Sequence, residues 1–250
     1  MIDIHCHILP EVDDGPRNWE TSTAMCRMAA DDGIEHTVVT PHANSRYHYD
    51  RSYLASLVEH LRTLIGEAPG ISLGCDFHLS YDNLQDVLAR PANYTIEGTN
   101  YLLVELSNYS IAQQINECFT QLGDKGITPI LTHPERNPIL QQSPQRVLQW
   151  VEQGCVVQMT ASALTGDWGE RVMRAARWLL DRNAVHILAT DAHDTEHRKP
   201  QLSAARDLVA DLYSEDLAQA LVDHNPRAVV HGQPLPYFPD PVTNDLGSRR

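Results

Sequence analysis

The stretch that decides the fold lies at the start of the chain, where residues 1–15 read MIDIHCHILPEVDDG. A short apolar run ends there in a His-x-His pair, and a loop with two aspartates follows. Because residues i and i+2 of a β-strand point to the same face, His5 and His7 project together while Cys6 points away. Two imidazoles on one rigid element can bind one metal ion. Taken alone, such a pair is more often two ordinary histidines, so the rest of the chain has to decide.

Composition and charge limit the classes of function. The chain has 250 residues, 42% of them hydrophobic and 21% charged, which is enough apolar material for a substantial core. Lys and Arg number 19 against 33 Asp and Glu, for a net charge of −14. This acidity argues against nucleic-acid binding, which needs positive charge to displace counterions. An anionic substrate would therefore need metal ions or arginines at its site.

The cysteines and the N-terminus predict a cytoplasmic protein. The five cysteines have no C-x-x-C spacing, which is typical of free thiols in a reducing compartment. The N-terminus lacks the basic region and the long apolar core of a signal peptide. No run reaches the ~18 apolar residues of a transmembrane helix, so we expect no membrane insertion.

Short apolar runs alternate with amphipathic stretches, a pattern typical of β/α units around a mostly parallel sheet. Strands are predicted at residues 2–5, 36–40, 71–77, 101–106, 128–132, 155–160 and 185–190. Helices are predicted at residues 19–32, 52–65, 111–122, 145–153, 170–183, 201–213 and 216–223. From residue 233 onward, repeated prolines preclude regular structure. We therefore predict one barrel domain, residues 1–232, and a proline-rich tail, residues 233–250, that is surface-draped or partly disordered.

Nearly every predicted strand ends in a residue that can bind a metal ion. Because the carboxyl ends of the strands converge in an α/β barrel, these residues would meet although they are far apart in sequence. Asp191 and His193 repeat the i, i+2 spacing of the first pair, and Glu105 interrupts an apolar run, where a buried carboxylate is costly unless paired or metal-bound. The strand-end residues are His5, His7, His42, Asp76, Glu105, His133, Asp191 and His193.

The types of ligand and their number point to a multinuclear site. Imidazoles and carboxylates without thiolates favour zinc, manganese or iron, and the count exceeds the needs of one ion. A cluster of two or three ions generates hydroxide at neutral pH and stabilises the oxygens of a displacement. Arg136 follows His133 closely and Arg198 follows His193, and guanidinium groups at these places would suit phosphate oxygens.

Four motifs occur in order along the chain: HCHILP with DDG in residues 5–15, TPH at 40–42, THPER at 132–136 and TDAH at 190–193. Together they resemble motifs of the polymerase and histidinol phosphatase (PHP) superfamily. Within it, they are similar to bacterial manganese-dependent protein-tyrosine phosphatases that regulate capsular and exopolysaccharide synthesis. The resemblance runs from residue 1 to about residue 232. It implies an α/β fold, a single distorted (β/α)7 TIM-like barrel with the active site at the carboxyl ends of the strands.

The resemblance also implies a trinuclear site in which Asp76 bridges two ions. The ions would be manganese, with zinc and iron as alternatives. The family usually has Glu where this chain has Asp76, which is one methylene shorter. Asp14 is preferred over Asp13 by resemblance alone. The implied ligand sets, one for each ion, are His5, His7, Asp76 and Asp191; Asp76, Glu105 and His133; and Asp14, His42 and His193.

The implied reaction is hydrolysis of phosphotyrosine by a metal-activated hydroxide. Arg136 and Arg198 fall where the family places its phosphate-binding arginines, and His42 or His193 could supply a proton. Phenolate is a tolerable leaving group, because the pKa of tyrosine is ~10. The implied partner is a phosphotyrosine protein such as an autophosphorylated bacterial tyrosine kinase of a polysaccharide export system. The sequence leaves the oligomeric state open.

Several other functions compete with this one. A cysteine-based tyrosine phosphatase needs Arg six positions after its Cys, and none of the five cysteines has it. A TatD-like nuclease would share the His-x-His start, but those proteins generally lack the last His of the TDAH motif, and the acidic charge disfavours nucleic acid. A histidinol phosphatase would use the same metals on a small alkyl phosphate and stays open. A catalytically silent domain would be favoured by a missing arginine, and both arginines are present.

A few residues carry two interpretations. His78 lies two positions after Asp76 and could share its face. The loop around Tyr47 and Tyr49 is either an ordinary connection or a rim of the site. Arg136 could pair with Glu135 or Glu117 instead of facing a substrate.

Overall fold

The computed structural model describes residues 1–66 and 69–243. Within them, the strands are β1 (Ile2–Cys6), β2 (His36–Val39), β3 (His42–Ala43), β4 (Gly70–Leu73), β5 (Asp76–His78), β6 (Tyr101–Glu105), β7 (Thr128–Thr132), β8 (Val156–Thr160) and β9 (Ile187–Ala189). The α-helices are α1 (Trp19–Asp31), α2 (Arg51–Ile65), α3 (Tyr81–Ala89), α4 (Ile115–Asp124), α5 (Gln145–Glu152), α6 (Ala161–Thr165), α7 (Glu170–Leu180), α8 (Ser203–Leu212), α9 (Glu215–Gln219) and α10 (Asn225–Val230). None of the helices in the described ranges has the length and apolar composition that crossing a bilayer requires.

The strands form two parallel sheets that continue into one another. One sheet has the order β1-β2-β4 and the other has the order β3-β5-β6-β7-β8-β9. Short breaks separate β2 from β3 and β4 from β5, and hydrogen bonds bridge them. The Gly74 amide donates to the Val39 carbonyl (2.8 Å), and the Asp76 amide donates to the Pro41 carbonyl (3.1 Å). The nine strands therefore occupy seven positions.

Hydrogen bonds also join the last strand position to the first. Beyond β9, Ala192 forms a parallel bridge with Cys6 of β1. The Asp191 amide donates to the His5 carbonyl (2.7 Å), and the His7 amide donates to the Ala192 carbonyl (2.8 Å). The seven parallel strand positions thus follow one another in a ring, and the predicted α/β barrel class is confirmed.

Helix α2 illustrates how sequence, cap and packing agree. The Asp50 carboxylate accepts hydrogen bonds from the amides of Ser52 and Tyr53, which are unpaired at the start of any helix. Leu54, Val58 and Leu61 recur at i, i+4 and i+7 and are buried. Burial of each such side chain contributes about 1.5–3 kcal/mol. The predicted amphipathic helix forms for these two reasons.

The main departure from the predicted strands lies at residues 71–77, where one predicted strand is two. The break falls at Gly74, where an added Cβ would lie 3.0 Å from Val38 Cγ1 and 3.1 Å from Ile96 Cγ1. Because such contacts are tighter than side chains normally tolerate, the position favours glycine, and the chain leaves β4 and begins β5 two residues later. Helices α3, α6 and α10 were not predicted, and α4 begins only at Ile115.

The described part of the tail, residues 233–243, packs against the end of the barrel where the strands begin. The Tyr101 hydroxyl donates to the Gln233 carbonyl (2.7 Å), and the Val242 amide donates to the Arg182 carbonyl (2.9 Å). This segment is therefore draped over the surface. Residues 244–250 lie outside the described residues, and the division into a domain of residues 1–232 and a tail stays a prediction.

A buried histidine under this tail makes stability depend on pH. His186 Nδ1 accepts a hydrogen bond from the Val157 amide (3.0 Å), and its ring stacks on Phe238 at 4.3 Å between centroids. Burial lowers the pKa of His186 to about 3. Since an unfolded histidine titrates near ~6.5, the unfolded chain binds a proton between these values that the folded chain does not. Folding stability is therefore lost as the pH falls through this window.

We expect the His186→Asn variant to lose less stability on acidification than the wild type. Asn can offer an acceptor near the position of Nδ1 but does not titrate. Between pH 7 and pH 5 the wild type should lose about 2 kcal/mol more than the variant, measured by urea unfolding of both proteins in metal-free form. Other histidines titrate equally in both proteins, so an equal loss would contradict the assignment to His186.

Candidate metal centre

The first strand and the residue that follows it place two imidazoles side by side. His5 and His7 are fully buried, and their Nε2 atoms lie 3.2 Å apart. Cys6, between them, packs on the opposite side in an apolar cluster that includes Ile8 and Met25. The strand geometry expected from the sequence is therefore the one observed.

The two aspartates of the following loop do different things. Asp13 Oδ2 lies 2.8 Å from His7 Nδ1 and accepts a hydrogen bond from the His42 amide (3.2 Å). Asp14 Oδ1 instead lies 3.3 Å from His42 Nε2 and 3.2 Å from His193 Nε2. Asp13 thus supports a predicted ligand from behind, while Asp14 joins the predicted ligands themselves. An aspartate behind a ligating histidine fixes the orientation and tautomer of its ring.

One group of neighbouring ligand atoms contains the three residues that the resemblance implies for the third ion. The donor atoms of His7, Asp14, His42 and His193 all lie within 4.8 Å of one another. Burial opposes ionisation of Asp14, but the rings of His193 and His42 hold its pKa well below the usual range. His7 joins this group although the resemblance assigns it to a different ion.

Asp76 lies at the centre of the cluster. It is directly opposite His42 in the β3–β5 register, which puts its Oδ2 2.9 Å from His42 Nδ1. The same oxygen lies 3.5 Å from His5 Nε2 and 3.9 Å from His7 Nε2. Burial opposes its ionisation, but the charges of His5 and His42 hold the pKa of Asp76 well below the usual range.

The hydrogen bonding around Asp76 is incomplete, which tests whether the residues suit a metal. Asp76 Oδ1 has no hydrogen-bond partner among the described residues, and the 2.9 Å contact of Oδ2 with His42 Nδ1 lacks the angles of a hydrogen bond. Buried polar atoms without partners are costly, and a cation coordinated by such oxygens and imidazoles removes that cost. A carboxylate oxygen of Asp76 lies within 4.8 Å of ligand atoms of His5 and His7. A second group, with the same spacing, joins Asp76 to His42 and Glu105. The donor set therefore fits divalent metal ions.

Glu105 and His133 occupy the next two strand ends. Glu105 Oε2 lies 3.5 Å from His78 Nδ1, which is its partner in the β5–β6 register, and Oε1 lies 4.0 Å from His133 Nε2. The donor atom of His133 groups with those of His5 and Asp191, within 4.8 Å. The resemblance instead puts His133 with Asp76 and Glu105, so the structure groups this residue differently.

Asp191 connects the histidines to the two arginines. Its Oδ1 lies 3.5 Å from His5 Nε2 and 3.4 Å from His7 Nε2. Its Oδ2 pairs with Arg136 Nη1 and, at 2.6 Å, with Arg198 Nη2. Burial opposes ionisation, but Arg136, His5 and Arg198 hold the pKa of Asp191 well below the usual range.

Backbone strain marks the same place. Asp191 and His133 both have positive φ, +51° and +34°. Residues other than glycine rarely adopt this conformation, and they tend to do so at functional sites, where the fold holds them. Here the fold supplies hydrogen bonds from the Asp191 amide to His5 (2.7 Å) and from the His133 amide to Gln158 (2.8 Å).

The imidazoles of the cluster differ in their affinity for protons. Burial opposes protonation of His5, but Asp191 and Asp76 raise its pKa to about 9. Burial and the neighbouring His193 lower the pKa of His7 to about 3. A neutral imidazole is the form that binds metals, and a raised pKa next to two carboxylates shows a place that attracts positive charge.

The family relationship can now be stated. The family described as capsular polysaccharide synthesis, CpsB/CapC, matches residues 1–231. This chain belongs to the CpsB/CapC family. It is 29% identical over 242 residues to the tyrosine-protein phosphatase CpsB of Streptococcus pneumoniae, covering 93% of this chain and 99% of that protein. It is 29% identical over 228 residues to the tyrosine-protein phosphatase YwqE of Bacillus subtilis, covering 90% and 89%.

Solved structures agree with the fold of this CpsB/CapC chain. A structure from work on YwqE of Bacillus subtilis and CpsB of Streptococcus pneumoniae, described as unique metal-dependent tyrosine phosphatases, matches with a TM-score of 0.91. The sequence identity is 26%, and the match covers 97% of this chain and 98% of that one. An organophosphorus hydrolase of Deinococcus radiodurans matches with a TM-score of 0.56 at 14% identity, over 92% of each chain, and shares the fold alone.

Arg136 of this CpsB/CapC protein forms neither of the alternative ion pairs considered from the sequence. The alternative pairing of Arg136 with Glu135 or Glu117 is wrong, because its guanidinium contacts Asp191 and Thr160 Oγ1, the latter at 3.2 Å. Glu135 is buried and accepts a hydrogen bond from the Thr160 amide (3.0 Å).

Arg198 is positioned by the turn that precedes it. The Asp194 carboxylate accepts hydrogen bonds from the amides of Glu196, His197 and Arg198, at 2.7, 2.6 and 3.1 Å. This compact turn brings the Arg198 side chain back over Asp191, so the two arginines converge on one carboxylate from different strand ends.

The two interpretations of the loop at residues 44–50 each apply to one of its tyrosines. The Tyr47 ring stacks against His42 at 5.8 Å and an interplanar angle of 11°, so this residue borders the site. The Tyr49 hydroxyl donates to the Gly74 carbonyl (2.8 Å) and supports the break between β4 and β5.

Sequence reasoning missed several residues around the centre. Gln158 Oε1 lies 3.0 Å from His5 Nδ1, and its place in β8, two positions before the strand end, was a usable signal. Trp168 had no comparable signal, because it follows a short helix that was not predicted. The missed residues are Gln158, Thr160 and Trp168, whereas Asp13 and Glu135 were considered in roles other than those observed.

Proposed function

We propose that this protein is a metal-dependent protein-tyrosine phosphatase that acts in the cytoplasm and regulates polysaccharide synthesis. The observation that carries the proposal is the buried cluster of histidines and carboxylates next to two converging arginines. The chain's CpsB/CapC relatives named above are tyrosine-protein phosphatases, and the solved structure that resembles it is described as metal-dependent.

We infer that the cluster holds two or three divalent ions, with manganese preferred and zinc and iron as alternatives. The proposal is supported by four overlapping donor groups of imidazoles and carboxylates without thiolates. When bound, the ions supply a hydroxide nucleophile at neutral pH and positive charge facing the phosphoryl oxygens. The proposed ligands are His5, His7, Asp14, His42, Asp76, Glu105, His133, Asp191 and His193.

The two arginines are proposed to bind the phosphoryl group. Each is partly exposed, with 19% of the Arg136 side chain and 27% of the Arg198 side chain accessible, so their donors can reach a ligand. A guanidinium presents its N–H donors in one plane and can bind two oxygens of a phosphate at once. The net charge of the chain is −14, which repels an anionic substrate, and the two arginines would supply positive charge where that substrate binds.

Two histidines are proposed to assist departure of the leaving group. His193 Nδ1 lies 3.0 Å from the Asp191 carbonyl, which leaves its Nε2 facing Asp14. His42 Nε2 faces the same carboxylate at 3.3 Å. A ring that is not committed to an ion would donate its proton from Nε2, and a phenolate, with a pKa of ~10, needs little assistance.

The proposed substrate is a phosphotyrosine protein, and an autophosphorylated bacterial tyrosine kinase of a polysaccharide export system is the proposed partner. The choice of phosphotyrosine is supported by the relatives, which are named tyrosine-protein phosphatases. A histidinol-phosphate-type activity is the second candidate, since the same centre could act on a small alkyl phosphate. The acidic charge disfavours the nuclease alternative.

Manganese should restore phosphate release from a phosphotyrosine peptide to protein stripped with a chelator. Histidinol phosphate and single-stranded DNA are assayed in parallel under the same conditions. Without metal, we expect activity to fall by more than about 100-fold, because the hydroxide and most of the positive charge depend on the ions.

Each outcome of this assay decides between named alternatives. Release from the peptide alone supports the proposed function. Release only from histidinol phosphate keeps the metal centre and replaces the substrate, and cleavage of DNA favours the nuclease. Full activity in the stripped protein would contradict a metal-dependent reaction.

A further inference from the structure

The chain segment after β8 differs from those after the neighbouring strands. The neighbouring strands are followed by predicted metal ligands, whereas β8 ends in Thr160. The Thr160 Oγ1 accepts a hydrogen bond from Arg136 Nη1 (3.2 Å). The segment continues through α6 to Trp168, whose Nε1 donates to Ser162 Oγ (2.9 Å). This hydrogen bond within the segment fixes the plane of the indole.

Both arginines of the site lie over this indole. The guanidinium carbon of Arg136 is 3.8 Å from the centroid of the Trp168 ring, and that of Arg198 is 5.5 Å away. Both distances fall inside the ~6 Å range of cation–π attraction, in which tryptophan is the strongest partner. The two arginines come from different strand ends, and Trp168 and Asp191 are the groups that they share.

The indole can hold an arginine in a way that a carboxylate cannot. Stacking occupies the flat face of the guanidinium and leaves the N–H donors at its edge available for a ligand. A carboxylate partner uses those donors instead, as Asp191 does with Arg136 Nη1 and Arg198 Nη2, and so competes with a bound phosphate. The negative face of the ring also reduces the repulsion between two adjacent cations.

We propose that Trp168 is a positioning residue that holds Arg136 and Arg198 for the tetrahedral oxyanion of a phosphomonoester and of the released phosphate. The inference rests on the proposed phosphate-binding role of the two arginines. Trp168 acts through them and needs no contact with the substrate.

The test compares two replacements of Trp168 in the metal-loaded protein. Trp168→Phe keeps an aromatic face, and Trp168→Leu fills part of the space without one. Binding of inorganic phosphate is measured by calorimetry, together with kcat and KM for a phosphotyrosine peptide and the bound metal per chain. Trp178→Leu is the matched control, because Arg182, just after α7, stacks at 4.1 Å on Trp178 of α7, and neither residue belongs to the site.

We expect Trp168→Leu to weaken phosphate binding and raise KM by about 5- to 10-fold, with kcat and bound metal nearly unchanged. Trp168→Phe should stay within about 2-fold of the wild type, and Trp178→Leu should have no effect on phosphate binding. In an Arg136→Ala background, the effect of Trp168→Leu should shrink, because the two changes remove one shared interaction.

Equal weakening in the Phe and Leu variants, loss of metal from the Leu variant, or full additivity with Arg136→Ala would overturn the proposal. If Arg136→Ala, Arg198→Ala and their combination all bind phosphate like the wild type, the arginines have no phosphate role, and the proposed function loses that part as well. If the arginine variants weaken binding but Trp168→Leu does not, only the positioning role of Trp168 is wrong.

Discussion

Replacement of Asp191 by Asn is expected to lower kcat/KM by on the order of 10³-fold and to reduce the bound metal by about one ion per chain. One oxygen of Asp191 faces His5 and His7 at 3.5 and 3.4 Å, and the other pairs with both arginines. Asn keeps the size of the side chain and tolerates the positive φ of +51° at this position. The loss would therefore come from the missing charge.

Metal content by elemental analysis and phosphate release from a phosphotyrosine peptide check this prediction. Cys6→Ser is the matched control, because Cys6 lies between two predicted ligands but packs on the opposite side of the strand. It should keep most of the activity and all of the metal. An inactive Asp191→Asn protein that retains full metal would instead limit Asp191 to holding the arginines.

The second large effect is expected at Asp76, where Asn should lower activity by about 10²- to 10³-fold and release metal. The Asp76 carboxylate is fully buried, and three histidines surround it at 2.9 to 3.9 Å. An amide cannot supply the negative charge that balances cations in this group. The NH₂ group of the Asn side chain would also point its N–H bonds at the metal site.

Asp76→Glu tests the residue that the resemblance to the PHP superfamily leads one to expect at this position. Because the site is packed around the shorter side chain, the extra methylene should strain it by about 1–3 kcal/mol. The charge is kept, so we expect the metal to remain and the activity to stay within about tenfold of the wild type. Asp76→Asn protein with full metal and full activity would contradict a ligand role for Asp76. If metal and activity are lost, unfolding in urea separates an effect at the site from loss of the fold.

The sequence predicted the fold class because its signals are local. Alternation of apolar runs with amphipathic stretches, and caps such as Asp50 at α2, depend on residues that are near in the chain. The prediction was wrong where tertiary packing decided. The single strand expected at residues 71–77 divides at Gly74, whose surroundings come from Val38 and Ile96.

The same distinction applies to the candidate site. The pairing of His5 with His7 follows from the two-residue period of a strand, and the strand-end positions place the other predicted ligands at one end of the barrel. The choice between Asp13 and Asp14 could not follow from spacing, because adjacent residues in a loop have no fixed direction. Contacts with His7 on one side, and with His42 and His193 on the other, separate their positions.

The sequence by itself determined that the chain consists of β/α units around a parallel sheet, with imidazoles and carboxylates at the ends of its strands, since local periodicity and order along the chain carry that information. The closed barrel was implied only by the resemblance. Only the tertiary structure decided how these donors group, why Arg136 faces Asp191 and not Glu135, and that Trp168 lies beneath both arginines. These features depend on distances of a few ångströms between residues far apart in the chain. Strand register and the turns of the loops set such distances, and both are products of packing in the whole barrel.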